Sequence, residues 1–575
     1  NYAYHTQGNG SVVNASGNVL TIRSSTAVIT NVTFGKNADY SSNFSIMDDY
    51  GSNLTFNNCI FTERFDFGSA TVSVFNHCIS KNSSADNDIL SSGNPTLNNF
   101  LNASIEFINI DKGNYIPRYC SQHLNAGNNS YNTLETDLLG NPRIVGGTID
   151  YGAIESQHAD INTVYVDAAS TDAWPDGSSW DKAFSDLSDA LRCKCDDNNG
   201  TITIPQEVWV AEGTYTPDTS PSGWFALNKN QKLYGGFTNG ATSIEDRNVG
   251  YSTMQTILSG ELENGTRAVH VVYSANNTIA TEINGFIVEK GKADNIAGFG
   301  SVAMSGGGVA IDNGSATLKN LWVRDNVSGN PEEYIPGQSF STGYGGGIYV
   351  AKSAQGAASV TMENVRVSNN AGYGGGIAFS NTTNNNFSAA LKNIEIYDNI
   401  STPFLNGGGN GAGGGIFING QLNLEMEDFY LANNTANWIG AGISINSNSA
   451  PITMKRGIFE QNGSLENVSG GAIFASAFPA TTITMESVVF EGNRSEDGAI
   501  FAASAHYNFT NCTFTGNESQ EGANLFSISD NSNISIRNSI IDSAANGINT
   551  IFMSTGSVTA QNCLFTNSLP AEITN

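Results

Sequence analysis

The sequence predicts an all-β solenoid, a right-handed parallel β-helix, on two recurring signatures and one near-absence. The first signature is a glycine cluster followed by an apolar residue. It stands at Gly306-Gly307-Gly308-Val309, Gly345-Gly346-Gly347-Ile348, Gly374-Gly375-Gly376-Ile377 and Gly413-Gly414-Gly415-Ile416. Weaker copies follow at Gly440-Ala441-Gly442-Ile443, Gly470-Gly471-Ala472-Ile473, Gly498-Ala499-Ile500 and Gly522-Ala523-Asn524-Leu525. The second signature is an apolar residue three places before an asparagine: Val323/Asn326, Val367/Asn370, Ile396/Asn399, Leu431/Asn434, Phe459/Asn462, Phe490/Asn493 and Phe514/Asn517, with Phe34/Asn37 and Ile79/Asn82 nearer the N-terminus. Self-similarity of this kind marks a repeat architecture. The near-absence is helical periodicity, which one run alone shows.

Each coil then reads as a glycine corner, a short strand, a variable loop, a second strand and an asparagine turn. The pattern Val360-Met362-Asn364-Val365-Val367 gives a strand with one buried face. Strands this short bury that face only by stacking, coil on coil, at about 4.8 Å. Glycine suits a corner needing positive φ or close backbone approach. Asparagine tolerates the left-handed region, and its amide can form a ladder between coils. Equivalence of the glycine corners predicts one interior column of Ile348, Ile377, Ile416, Ile443, Ile473 and Ile500.

The exception is the run 178–191. Ser178 with Asp181 reads as a capping box, and Trp180, Ala183, Phe184, Leu187, Ala190 and Leu191 share a helical face. A helix here would cover the open end of the solenoid core.

Val164-Tyr165-Val166-Asp167, Gly177-Ser178-Ser179-Trp180 and Val208-Trp209-Val210-Ala211-Glu212-Gly213-Thr214-Tyr215, with Leu233-Tyr234-Gly235-Gly236-Phe237 after them, resemble the start of secreted bacterial β-helix proteins. The coils that follow resemble the repeats of polymorphic outer-membrane proteins. Earlier, Asp137-Leu138-Leu139-Gly140-Asn141-Pro142-Arg143-Ile144 and Ile149-Asp150-Tyr151-Gly152-Ala153-Ile154-Glu155 are similar to the closing element of β-helix domains of the choice-of-anchor type. A closing element before a start signature implies two modules. Residues 1–157 are the C-terminal part of the first, 158–163 a linker, and 164–575 the second, with a cap over about 164–200 and coils over about 201–575. One module with an insertion is the alternative. The order also implies a segment of a longer tandem array.

Composition narrows the partners. The 575 residues carry 25 Lys+Arg and 53 Asp+Glu, a net charge of −28, which disfavours nucleic acid and anionic membrane. No apolar run is long enough for direct membrane insertion. Seven cysteines are too few for a disulfide scaffold. Cys59, Cys78, Cys512 and Cys563 sit in look-alike contexts and read as small core residues, whereas Cys193 and Cys195 admit a local disulfide or half a metal site.

No catalytic or cofactor-binding residue is assigned. Arg324, Arg366, Lys392, Lys455 and Arg494 read as scattered singles; Asp48-Asp49, Asp196-Asp197 and Glu332-Glu333 read as solvated turns. Gly409-x-Gly411-x-x-Gly414 matches a dinucleotide fingerprint in letters only, without the βαβ context. Asp167, Asp172, Asp176 and Asp181 form an oxygen-rich loop and are the calcium candidates; no other cofactor is expected. Sequons such as Asn31, Asn326, Asn399, Asn493, Asn511 and Asn533 admit glycosylation.

Two functions compete. One is a structural or adhesive protein of the bacterial cell surface or an extracellular fibre, partnered by neighbouring modules, copies of itself and surface glycans, with no enzymatic activity. The other is a polysaccharide-binding or polysaccharide-cleaving β-helix. An aromatic and acidic stripe along consecutive coils would favour the second. Phe417, Phe459, Phe474, Phe490 and Phe514 read instead as stacked core.

Overall fold

The computed structural model describes residues 20–574 apart from 23–24, 36–43, 49–51, 63–64, 68–71, 82–94, 104, 111, 119–120, 158–161, 193–194, 197–201, 205–206, 219–222, 263–264, 294–304, 330–342, 355, 384–385, 402–410, 464–467, 522, 543–549 and 567–572. Asn37, Asn82, Asp49, Cys120, Cys193, Asp197, Glu332, Glu333, Gly409 and Gly522 lie outside the described residues. The fold is a right-handed parallel β-helix. A parallel ladder system of 28 strands runs from Thr163–Val166 to Ile573–Thr574. Shorter parallel ladders stack between Leu20 and Ala103, followed by an antiparallel hairpin of Phe107–Asn109 and Asn114–Pro117.

One coil shows how the sequence sets the shape. Gly374–Gly376 form the corner, Ile377–Asn381 the first strand and Phe387–Tyr397 the long strand, and Ile400–Ser401 is a short third strand. The long strand bends at Asn393, whose φ is 53°. That bend shifts the alternation by one residue. Phe387, Ala389 and Leu391 point inward before it, and Ile394 and Ile396 after it. Asn364 does the same one coil earlier (φ 55°), which explains the broken period of Val360-Met362-Asn364-Val365-Val367.

The predicted isoleucine column is present. Ile348, Ile377, Ile416, Ile443, Ile473 and Ile500 are register partners in sequence and fully buried. The asparagine ladder is present too. Asn326, Asn370, Asn399, Asn434, Asn462 and Asn493 each donate a side-chain N–H to the carbonyl oxygen of the next, at 3.0–3.1 Å, ending on Asn517. The glycine clusters follow from close approach of backbone. A Cβ on Gly376 would lie 2.6 Å from the Gly415 carbonyl oxygen of the next coil and 3.2 Å from the Asn399 amide, so the third glycine makes room first for the next coil's backbone and then for the ladder. A Cβ on Gly375 would overlap the Ile400 carbonyl, because the short third strand crosses there. Gly375→Ala is therefore expected to lower stability by about 1–3 kcal/mol through forced backbone displacement, read from urea denaturation midpoints. The burial of Asn326, Asn399 and Asn493 also withdraws these three sequons from glycosylation in the folded chain.

The helix is shorter than the periodicity predicts. It spans Leu187–Arg192, and Trp180–Lys182 is an isolated 3-10 turn. Between them Phe184 runs extended as a bridge partner of Val166. Exchange of backbone hydrogen bonds across the coil end, Phe184 N to Tyr165 O at 3.0 Å and Asp167 N to Phe184 O at 2.8 Å, replaces helix there. The Ser178/Asp181 box does not form; the Asp186 carboxylate accepts from Ser188 N at 2.7 Å instead. Leu187, Ala190 and Leu191 still cover the core end, alongside Ile108, Ile116 and Ile154 from the preceding segment.

The segment 137–155 is a buried polar staple. Arg143 Nη1 lies 3.0 Å from Glu155 Oε2, and its Nη2 donates to the Gly152 carbonyl. Glu155 also accepts from Val145 N and Asp150 N at 3.0 and 2.9 Å, and Asp150 accepts from Asn125 N and Ser156 N at 2.6 and 2.7 Å. Asp137 accepts from Leu139 N and Asn141 N, both at 2.9 Å. Each acidic residue of the segment therefore ties down loop backbone that a strand ladder would otherwise satisfy.

Two buried polar groups give measurable consequences. The Tyr507 hydroxyl is buried in the core and meets no partner. Tyr507→Phe is expected to raise stability by about 1 kcal/mol, since it removes an unsatisfied group and keeps the ring; a higher thermal midpoint checks this. His270 is buried between Trp224 and Tyr273, with Nδ1 donating to Gly306 O at 3.0 Å. Burial pushes its imidazolium down from 6.5 to about 4. The unfolded chain thus takes up this proton at higher pH than the folded one. Stability present above pH 6.5 is lost as pH falls towards about 4, by up to about 3 kcal/mol. Melts of the wild type and His270→Gln across that window should show a steeper loss in the wild type.

Candidate functional site

The second half of each long strand alternates inward apolar residues with outward ones. The outward residues Trp322, Arg366, Glu395, Tyr430, Ile458 and Val489 are register partners on six successive coils. Two residues on, Glu289, Arg324, Ser368, Tyr397, Ala432, Glu460 and Glu491 form a second column beside them. Together they make an aromatic and acidic stripe along the coil stack.

One end of the stripe is rigid. Arg324 lies 4.4 Å over the Trp322 ring and 2.7 Å from Glu289. Arg366 lies 4.3 Å from the Tyr251 ring and 5.3 Å from Trp322, with Nη2 and Nε at 2.7 and 2.8 Å from Glu395 Oε2. The Trp322 indole N–H donates to Ser368 Oγ at 2.9 Å. Cation–π contact and charge-assisted hydrogen bonds fix these side chains before any ligand arrives.

The other end is open. A depression of about 410 Å³ is lined by Asn393, Glu395, Asp428, Tyr430, Arg456, Ile458, Ser487 and Val489. One wall is the bend itself: Asn393, Asp428, Arg456 and Ser487 occupy the positive-φ position of four successive coils. Arg456 lies 2.7 Å from Asp428 and also holds Glu427. Its guanidinium holds the Asp428 carboxyl below the usual range. The Tyr430 hydroxyl donates to Glu460 Oε2 at 2.7 Å, and burial pushes the phenol up to about 12. The ring is thereby oriented while one edge stays accessible.

No family model matches the chain, and the search among curated proteins gives no match. Solved structures do match: GH136 lacto-N-biosidase from Eubacterium ramulus, as its selenomethionine derivative at 13% identity and TM-score 0.40, and as the native protein at 12% and 0.34. Each match covers 70% of this chain and 67% of the other. The expectation of a chain without enzymatic activity does not stand beside these matches and is withdrawn. At these scores the likeness assigns neither substrate nor catalytic residue. The resemblance to the choice-of-anchor type gains no support from any family match.

Three of the four calcium candidates hold local hydrogen bonds or an ion pair. Asp167 accepts from Ala169 N at 2.8 Å and from Asn239 Nδ2 at 2.7 Å; Asp172 accepts from Trp174 N at 3.0 Å and pairs with Lys182 at 2.9 Å. Asp176 accepts from Ser178 N at 2.9 Å, and Asp181 is exposed. Among the described residues, no three His, Cys, Asp or Glu side chains are placed to hold a metal ion. Cys59, Cys78 and Cys512 are buried in the coils as expected and Cys563 is half-buried; all four are free thiols.

The sequence reading missed the stripe. Its scattered cations are paired or in register: Arg324 with Glu289, Arg366 with Glu395, Arg494 with Glu518, and Lys392 and Lys455 inside an alternating column Lys319, Glu363, Lys392, Glu427, Lys455, Glu486. It also placed Phe417 and Phe474 in the core. Phe459, Phe490 and Phe514 do stack there, with centroids 4.9 and 5.0 Å apart. Phe417 instead belongs to an outer cluster with Tyr344, Tyr349 and Tyr373, against which Phe474 packs. Ile416 and Ile418 take the inward positions of that strand, so the residue between them must point out.

Proposed function

We propose that the chain binds carbohydrate on the stripe from Trp322 to Val489. The observation that carries this reading is the register of aromatic and carboxylate side chains over consecutive coils, beside a depression of ligand size. Sugar rings offer apolar C–H faces for Tyr430 and Ile458. Their hydroxyls can donate to the Glu395 and Asp428 carboxylates, and the Asn393 amide can both accept and donate. Saturable retention on immobilised glycans, lost on adding the same soluble glycan, supports the reading; no retention on any glycan rejects it.

A second reading, cleavage, rests on Glu395 and Asp428 lining one depression, since glycoside hydrolysis uses two carboxylates across the scissile bond. Release of reducing ends by the wild type and its loss in Glu395→Gln would establish it; release unchanged in that variant would place the chemistry elsewhere. An extracellular, cell-surface setting, with neighbouring modules divided near residues 157 and 164 as further partners, fits a glycan-binding rod. Neither nucleic acid nor membrane insertion is part of the proposal. Among the described residues no helix is long and apolar enough to cross a membrane.

A further inference from the structure

Resting on the carbohydrate reading above, we infer that the ligand is an uncharged glycan lying along the coil axis, and that the open depression holds about three of its sugar units. The charge argument comes first. Three guanidiniums line this face, and each is already engaged: Arg324 by Glu289, Arg366 by Glu395, and Arg456 by Asp428 and Glu427. The two columns and the bend wall together set five carboxylates, Glu289, Glu395, Glu460, Glu491 and Asp428, against these three cations. A uronate or sulfate group would have to break an Arg–carboxylate pair and would approach a chain of net charge −28. A neutral hydroxyl needs no such exchange. It can donate to a free lone pair of Glu395 or Asp428 while those ion pairs stay intact.

The direction follows from the lining. The depression draws on four successive coils, at 393–395, 428–430, 456–458 and 487–489. Three steps at about 4.8 Å span roughly 14 Å along the axis, about the length of a linear trisaccharide. Across the axis it is bounded on one side by the stacked bend residues Asn393, Asp428, Arg456 and Ser487. The Arg366–Glu395 pair, braced by Tyr251 and Trp322, closes the end towards the N-terminal coils.

The test is retention of the whole chain on three immobilised sets: neutral glycans (β-glucan, xylan, galactomannan), polygalacturonate, and heparin. Retention on at least one neutral glycan, tenfold or more above both acidic polymers, is the expected result. Equal or stronger retention on either acidic polymer overturns the inference and leaves the carbohydrate reading standing. No retention on any of the three sets rejects the carbohydrate reading itself. Competition by oligomers of the retained glycan then tests the axis: potency should climb from one to three units and level off near four. A monosaccharide as potent as the trimer would overturn the axial placement.

Discussion

Asn399→Ala is expected to lower stability by about 3–5 kcal/mol, a large effect for one uncharged side chain. Its amide oxygen accepts from the backbone N–H and the side chain of Asn370, at 3.1 and 3.0 Å. Its nitrogen donates to Val367 O, Tyr397 O and the Asn434 side chain, at 2.9–3.0 Å. The residue is fully buried, so water cannot take over these roles. Alanine leaves at least one donor and one acceptor unmet, each at about 1–3 kcal/mol, within a coupled ladder. Because each coil contacts only its neighbours, amide exchange should quicken first in the coils carrying Asn370 and Asn434. Unchanged exchange there, with an unchanged urea midpoint, would show that the ladder is decorative.

Tyr430→Ala is expected to weaken glycan retention at least tenfold, a loss of about 1.4 kcal/mol or more. The ring lies mid-stripe between Glu395 and Ile458 in register, and its hydroxyl orients Glu460. Tyr430→Phe keeps the stacking surface and loses only that hydrogen bond, so its retention should fall between the two. The side chain is half-exposed and outward, so both variants should melt within about 1 kcal/mol of the wild type. Retention of Tyr430→Ala equal to the wild type would remove the ring from the site.

What the sequence disclosed and what it hid have one physical cause. A glycine at a corner and an asparagine in the ladder each have a single job that few residues can do, so Gly374–Gly376 and Asn399 stay visible in the chain. The outer face has no such constraint. Its neighbours along the axis lie as far apart in sequence as the ladder asparagines, but the residue type changes from coil to coil, Trp322, Arg366, Glu395, Tyr430, Ile458 and Val489, so nothing in the sequence marks them as equivalent. Lys392 therefore looks isolated although it sits between Glu363 and Glu427. The same blindness misplaced Phe417, since the alternation of one strand does not say what covers its outer side. The 178–191 run had helical spacing throughout, but closing the coil end through the Phe184–Val166 bridge took half of it.

The most direct test is a structure of the chain with a neutral trisaccharide taken from the glycan it retains. The account predicts sugar along the coil axis between Glu395 and Ser487, one ring against Tyr430 and hydroxyls on Glu395 and Asp428. Sugar bound at another face of the solenoid, with this depression unoccupied at saturating ligand, would contradict it.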